Sequence, residues 1–167
     1  MSYNEIHVSS PSKSDLEQMH SIQKATFGQD ALPKEYIESL INNGLLSLKI
    51  EIDDEEAKLA GFALIHMQDS DLLNKNVFTK AYIMNFIISP QYRHKGHGSH
   101  LLNIALNILK EKENYSVVAL HVKTHNKNAI KFYEIFKFKI LSEQIKYYSS
   151  GDDAYYMELE LNSIGKT

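Results

Sequence analysis

The stretch from Ala81 to Val122 limits what this chain can fold into more than any other. AYIMNFII (81–88) is almost continuously apolar, the pattern of a strand covered on both faces. Pro90 ends it. Gly96 and Gly98 then lead into a helix with Leu101, Leu102, Ala105, Leu106 and Leu109 on one face. SVVALHV (116–122) reads as another buried strand. Strand, helix and strand within about 40 residues make a βαβ unit with a parallel pair, right-handed by default.

The flanks are simpler. Ser14-Asp15-Leu16-Glu17 has the spacing of a capping box, with Ser14 as N-cap and Glu17 reaching back. Leu16, Met19, Ile22 and Ala25 follow at helical spacing. A second helix is expected from Pro33, carrying Tyr36, Ile37, Leu40 and Ile41 and ending near Gly44. LSLKIEI (46–52) alternates strictly, as a half-buried strand does. Asp53 to Glu56 turn the chain, Leu59 to Met67 form the partner strand, and residues 68–80 form a long polar loop. Beyond the βαβ unit, Asn126 or Asn128 caps a short helix holding Ala129, Ile130, Tyr133 and Phe136. Phe138–Glu143 and Ala154–Leu161 make a final hairpin around Ser149-Ser150-Gly151-Asp152. The reading is a mixed α+β domain: antiparallel strands, one central parallel pair and flanking helices.

Composition narrows the function. The chain has 167 residues, one domain's worth. It has no cysteine, which excludes disulfides, thiolate metal sites and a cysteine nucleophile, and makes a reducing cytosol or nucleus the default. The opening MSYNEIHVSSPSKSD lacks the basic and apolar regions of a signal peptide. No apolar run approaches the ~20 residues of a membrane span. The formal net charge of -3 implies no nucleic-acid partner. Locally, YRHKGHGSH (92–100) carries Arg93, Lys95 and three histidines with no acid.

A strand that runs into RHKGHG and then a helix makes an anion site. The helix N-terminus presents unpaired N–H groups and the positive end of its dipole, and the glycines admit a ligand close to the backbone. A pyrophosphate suits it. The P-loop pattern G-x-x-x-x-G-K-[ST] is absent. A dinucleotide fingerprint needs a third glycine where Leu101 stands, and an acid after the next strand, where His121-Val122-Lys123 stand. The acetyl-CoA loop R-x-x-G-x-G/A fits Arg93-His94-Lys95-Gly96-His97-Gly98 throughout, with Ser99 next. A plain glycine turn joining strand to helix is the alternative. The spacing of His94, His97 and His100 invites a metal reading, but no acid or cysteine completes a shell, so no metal is expected.

Around this loop the chain resembles the GNAT superfamily of acetyl-CoA-dependent N-acetyltransferases. Asn126, Asn128, Ala129, Ile130, Phe132 and Tyr133 look like the family's second motif, N-x-x-A-I-x-F-Y. Phe138 stands where the closing Gly-Phe pair puts its aromatic, with Lys137 in place of the glycine. AYIMNFIISPQYRHKGHGSHLL and ALHVKTHNKNAIKFYEIFKFKI look most like the NatE (San-type) protein N-terminal acetyltransferases, with NatF a near second. KYYSSGDDAYYMELEL also resembles the NatA type. The resemblance covers Tyr82 to about Leu161 and is weak before residue 80.

The resemblance implies a single three-layer GNAT domain over 1–167, with a mostly antiparallel central sheet, one splayed parallel pair and flanking helices. It implies acetyl-CoA as co-substrate, a peptide or protein N-terminus as acceptor, and a cytoplasmic or nuclear enzyme associated with an acetyltransferase complex or the ribosome. By the same resemblance, Tyr82 and His121 are catalytic, and Met84, Tyr147 and Tyr148 meet the substrate. Phe27 matches the aromatic of a substrate-gripping loop, but Gly28 and Ala31 replace that loop's proline and tyrosine.

The chemistry agrees with these residue types. An α-amino group with a pKa near 7.7–8.0 is partly neutral at cytosolic pH, whereas a lysine side chain near 10.4 demands a stronger base. Between Ala81 and Gln91 there is no acid to act as a direct base. Tyr82 and His121, on adjacent parallel strands, can relay a proton through a water. Backbone N–H groups at Phe86, Ile87 and Ile88 can bind the cofactor's amide arm and thioester oxygen, and Tyr133 can protonate the leaving thiolate. Taken singly, each has a plainer reading. Tyr82 and Tyr133 fit core packing, His121 fits a hydrogen-bonded core histidine, and Tyr147-Tyr148 fit strand residues. A small-amine or lysine acetyltransferase and a non-catalytic acetyl-CoA-binding subunit stand as alternatives.

Overall fold

A computed structural model describes residues 5–43, 46–52, 58–68, 79–112 and 115–161. The expected helix end at Gly44, the acidic turn 53–56 and most of the 68–80 loop lie outside them. Seven strands form a mostly antiparallel sheet: β1 (Ile6–Ser9), β2 (Leu46–Ile52), β3 (Lys58–Gln68), β4 (Thr79–Ile88), β5 (Tyr115–Lys123), β6 (Lys139–Gln144) and β7 (Ala154–Glu160). Their order is β1-β2-β3-β4-β5-β7-β6, with β4 and β5 parallel. Four helices accompany them: α1 (Leu16–Phe27), α2 (Lys34–Asn42), α3 (His97–Glu111) and α4 (Lys127–Ile135). The predicted mixed architecture is present. β1 has no counterpart in the sequence reading, because four residues with three of them exposed give no burial pattern.

The chain divides into two compact units. The first comprises residues 1–66 and 85–107, the second 67–84 and 108–167.

In the first unit β2 pairs antiparallel with β1 and β3. A bulge between Ile50 and Glu51 shifts the β2–β3 register, so Ile50 faces Gly61 and Glu51 faces Leu59. The residue between, Ala60, accepts a hydrogen bond from the Ser89 amide at 2.8 Å. Gly61 is required here. A Cβ on it would lie 2.2 Å from the Ile87 carbonyl oxygen. The helix cap differs from expectation. The Ser12 amide donates to the Asp15 carboxylate at 2.6 Å, and a 3-10 turn (Lys13–Asp15) precedes α1. Glu17 is engaged instead by Lys34 of α2, so the cap falls two residues early. α1 buries Leu16, Met19 and Gln23, while Ala25 is exposed. Both polar atoms of Gln23 are buried with no hydrogen-bond partner in the protein. The apolar face of α3 is buried as its spacing predicts.

In the second unit β5 pairs parallel with β4, from Thr79↔Tyr115 to Ile83↔Leu120, and antiparallel with β7. Among the described residues β6 pairs only with β7 and stands at the sheet's rim. Every residue of β6 is exposed, and its register slips between Ile140 and Ser142. Lys137 follows α4 in the left-handed region, φ 71°. Its amide and that of Phe138 close the helix onto the Glu134 and Tyr133 carbonyls. Glycine is the residue suited to that conformation, so the lysine is strained there.

β4 corrects one expectation. It is not covered on both faces. Ala81, Ile83, Asn85 and Ile87 are buried, whereas Tyr82, Met84 and Phe86 are half-buried on the other face. Seven apolar residues among eight hid an alternation that only the fold reveals.

Candidate active site

The first unit holds the glycine turn. β4 ends at Ile88, and a 3-10 turn (Pro90–Tyr92) turns the chain. Arg93 Nε then donates to the Ile88 carbonyl at 2.7 Å, fastening the turn to the strand. His94 (φ 59°) and Gly96 (φ 85°) take left-handed backbone, and α3 starts at His97. The His100 amide donates to the Gly96 carbonyl, so the amides just before it lie in the helix's first turn, where no intrahelical acceptor exists. Arg93, His94, Lys95 and Gly96 are exposed, and Gly98 and Ser99 half-buried. His97 is buried, and its Nδ1 has no hydrogen-bond partner. Burial, and then the charges of Lys95 and His100, hold it below its ordinary pKa. Lys95 Nζ lies 5.9 Å from the Tyr92 ring centroid. First-turn amides, the exposed Arg93, His94 and Lys95 side chains and open backbone fit a phosphate-bearing ligand. Phe86, Ile87 and Ile88 precede this turn in the same unit. Phe27 closes α1, half-buried, and Gly28 (φ 58°) begins a 3-10 turn to Asp30.

The second unit gathers the predicted catalytic side chains. Pairing Tyr82 with Ala119 sets His121 one step further along β5 on the same face. There the Tyr82 hydroxyl is hydrogen-bonded to His121 Nδ1. Tyr147 stacks on the imidazole, with centroids 4.1 Å apart and planes within 12°, and its hydroxyl lies 3.4 Å from that of Tyr82. Tyr148 meets Tyr147 edge-on at 5.0 Å. Burial, then the Tyr147 hydrogen bond, push the Tyr82 hydroxyl far above its ordinary pKa, so it stays protonated. Burial lowers His121, and the Gln144 side chain acts more weakly in the opposite direction. His121 is therefore a neutral imidazole at neutral pH, with Nε2 buried.

Tyr133 is buried in α4, packed edge-on against Phe132 and Phe138, and burial raises its pKa strongly. Asn126 is the N-cap of α4, its Oδ1 accepting from the Ala129 amide at 3.2 Å. Asn128 is exposed in the first turn. Met84 shares the half-open face of β4 with Tyr82.

Sequence reasoning missed three neighbours of this cluster. Tyr156 pairs with His121 across β5–β7, and their rings lie 5.1 Å apart. Lys80 reaches the Tyr156 hydroxyl at 2.8 Å and also binds Glu158. Lys123 binds Asp152. Tyr156 depends on strand register and Lys123 on a loop contact, neither of which spacing along one strand carries. Among the described residues no group of three His, Cys, Asp or Glu side chains is placed to hold a metal ion.

The family model for the acetyltransferase (GNAT) family matches residues 16–138. The chain belongs to the GNAT family. Over 86 residues this GNAT chain is 34% identical to N-alpha-acetyltransferase 50 of Danio rerio, covering 50% of the chain and 51% of that protein. Over 146 residues it is 25% identical to an N-alpha-acetyltransferase of Saccharolobus solfataricus, covering 86% of each. The chain spans about half the length of several curated relatives it matches. Arabidopsis thaliana NAA60, solved in complex with acetyl-CoA, shares the GNAT fold with a TM-score of 0.81 at 22% identity, over 93% of this chain and 99% of that one.

Proposed function

We propose that this GNAT chain is an acetyl-CoA-dependent N-acetyltransferase, acting as one domain on the α-amino groups of protein N-termini by direct transfer. The observation that carries the reading is the Tyr82–His121 hydrogen bond beneath the stacked Tyr147. It is a proton relay roofed by an aromatic, on a strand with no carboxylate.

Acetyl-CoA supplies an activated thioester. The Arg93–Ser99 turn holds its pyrophosphate, and the Phe86–Ile88 backbone its amide arm. Asn126, Asn128 and Ala129 at the start of α4 are further cofactor-binding candidates. The amine nitrogen bonds to the acetyl carbon as the carbon–sulfur bond breaks. One proton leaves the amine and one joins the thiolate. Tyr82 cannot serve as a tyrosinate base, because burial holds its proton. Its oxygen instead takes the amine's proton through a water while its own proton passes to His121 Nδ1. No charged tyrosine is formed, and a neutral imidazole is already present to receive the proton. Tyr133, which burial holds protonated, donates to the thiolate. Tyr147 and Tyr148, with Met84 and Phe27, contact the acceptor peptide. Among the described residues no helix is long and apolar enough to cross a membrane. A cytoplasmic site of action beside nascent chains, within an acetyltransferase assembly, fits this chemistry.

The test is turnover of acetyl-CoA with peptides of varied N-termini, beside N-terminally blocked lysine peptides and polyamines. Activity on free α-amines is expected. Activity confined to the blocked peptides or polyamines overturns the reading.

A further inference from the structure

Nine residues (145–153) connect β6 to β7, and they include Tyr147 and Tyr148. A hairpin loop of that length is not held by turn hydrogen bonds alone. Within it, the Gly151 amide donates to the Tyr148 carbonyl at 2.8 Å and the Tyr148 amide to the Asp152 carbonyl at 3.1 Å. Asp153 accepts from the Lys146 amide at 2.7 Å, and its carbonyl accepts from the Thr124 amide at 3.0 Å. A further tie is ionic. Lys123 Nζ donates to Asp152 Oδ2 at 2.7 Å and to Ser150 Oγ at 3.2 Å, while Ser150 Oγ donates to the same carboxylate at 2.8 Å. His125 Nδ1 lies 3.8 Å from the other carboxylate oxygen. The same ammonium sits 5.1 Å from the Tyr148 ring centroid.

Lys123 and His121 are two apart on β5 and share a face. The tyrosine pair is thus matched by a pair on the strand: Tyr147 over His121, Tyr148 against Lys123.

We propose that Lys123 and Asp152 are positioning residues that clamp the 145–153 loop onto the end of β5 and so hold Tyr147 over His121 and the acceptor site. The clamp rests on the proposed function for its consequence in catalysis, and on geometry alone for its existence. Lys123 is half-buried and Asp152 more open, so the pair is partly screened by solvent and acts mainly by fixing geometry. Loosening the loop raises the KM for the acceptor peptide. The chemical step and acetyl-CoA binding, which depend on other residues, change far less.

The experiment compares wild type with Lys123→Met, Asp152→Asn, the conservative Lys123→Arg, and the swapped double variant Lys123→Asp/Asp152→Lys. Lys123→Met and Asp152→Asn are expected to raise acceptor KM about tenfold, with kcat within about threefold and acetyl-CoA affinity unchanged. Arginine and the swap should restore most of the loss. Two readouts need no turnover. Amide hydrogen exchange should speed up across 145–153 but not in β2, and the NMR titration of His121 should move up toward its ordinary value as Tyr147 lifts away. Unaltered loop exchange and unaltered His121 titration in both single variants overturn the clamp, whatever the activity. A wild type inactive on every N-terminus, with the loop and titration responses intact, removes the function but not the clamp.

Discussion

The Tyr82 hydroxyl and the His121 imidazole divide one task by their environments. Burial raises the first and lowers the second, so both are neutral at neutral pH. Tyr82→Phe removes the relay's hydroxyl and leaves the ring. It should lower kcat by about 10²–10⁴-fold, with acetyl-CoA affinity intact by calorimetry. The pH dependence follows from the same shifts. His121 loses its proton below its ordinary value of 6.5, so its limb in kcat/KM lies on the acid side of that value. A further rise with pH should track the acceptor's own amine, near 7.7–8.0. A limb that moves with a change of acceptor, beside one that does not, distinguishes the two groups. Strand pattern placed Tyr82 and His121 on neighbouring strands, and the structure joins their side chains; their proposed roles came from the family resemblance and not from the pattern. Tyr156 and Lys123 were not legible, since one faces His121 through the β5–β7 register and the other acts through a loop.

Elements were legible where side-chain spacing decides them. β2, β5 and β7 lie within two residues of their expected bounds, and α3 and α4 carry the residues expected of them. Caps were less so. Ser14-x-x-Glu17 fits the template, yet the structure caps with Ser12 and Asp15, while Glu17 pairs with Lys34. Gln23 shows the same limit, being a polar residue buried at a position that spacing alone does not single out. Two substitutions test element-level claims. Gly61→Ala brings a methyl against the Ile87 carbonyl, where backbone has to move. It should destabilise the protein by more than about 2 kcal/mol in urea unfolding. Lys137→Gly relieves the left-handed lysine after α4 and should stabilise by up to about 1 kcal/mol, with turnover unchanged.

For the molecule as a whole, stability should be flat near neutral pH and fall on both sides. His97 and His121 resist protonation when folded, whereas the unfolded chain takes up these protons near pH 6.5. Stability is therefore present above that value and lost as pH falls through the lower folded values. On the alkaline side Tyr82 and Tyr133 hold their protons when folded, while the unfolded chain gives them up near pH 10, so stability falls as pH rises past it. Urea midpoints at about pH 5, 7.5 and 10.5 check both signs. Acetyl-CoA at a hundred times its dissociation constant should add about 2.7 kcal/mol, seen as a raised midpoint; ADP should give less.

The bare rim at β6 has a consequence for how these molecules keep company in a crowded solution. An exposed outer strand is a template on which another chain can lay its own backbone. Ile140 and Leu141 stand exposed on that strand and would favour such stacking. The slip at Leu141 breaks the regular spacing of the template, and Lys139 and Glu143 set charges on either side of it. The rim is open yet hard to copy, and the protein should stay dispersed at concentrations where a straight, uncharged edge would grow fibres.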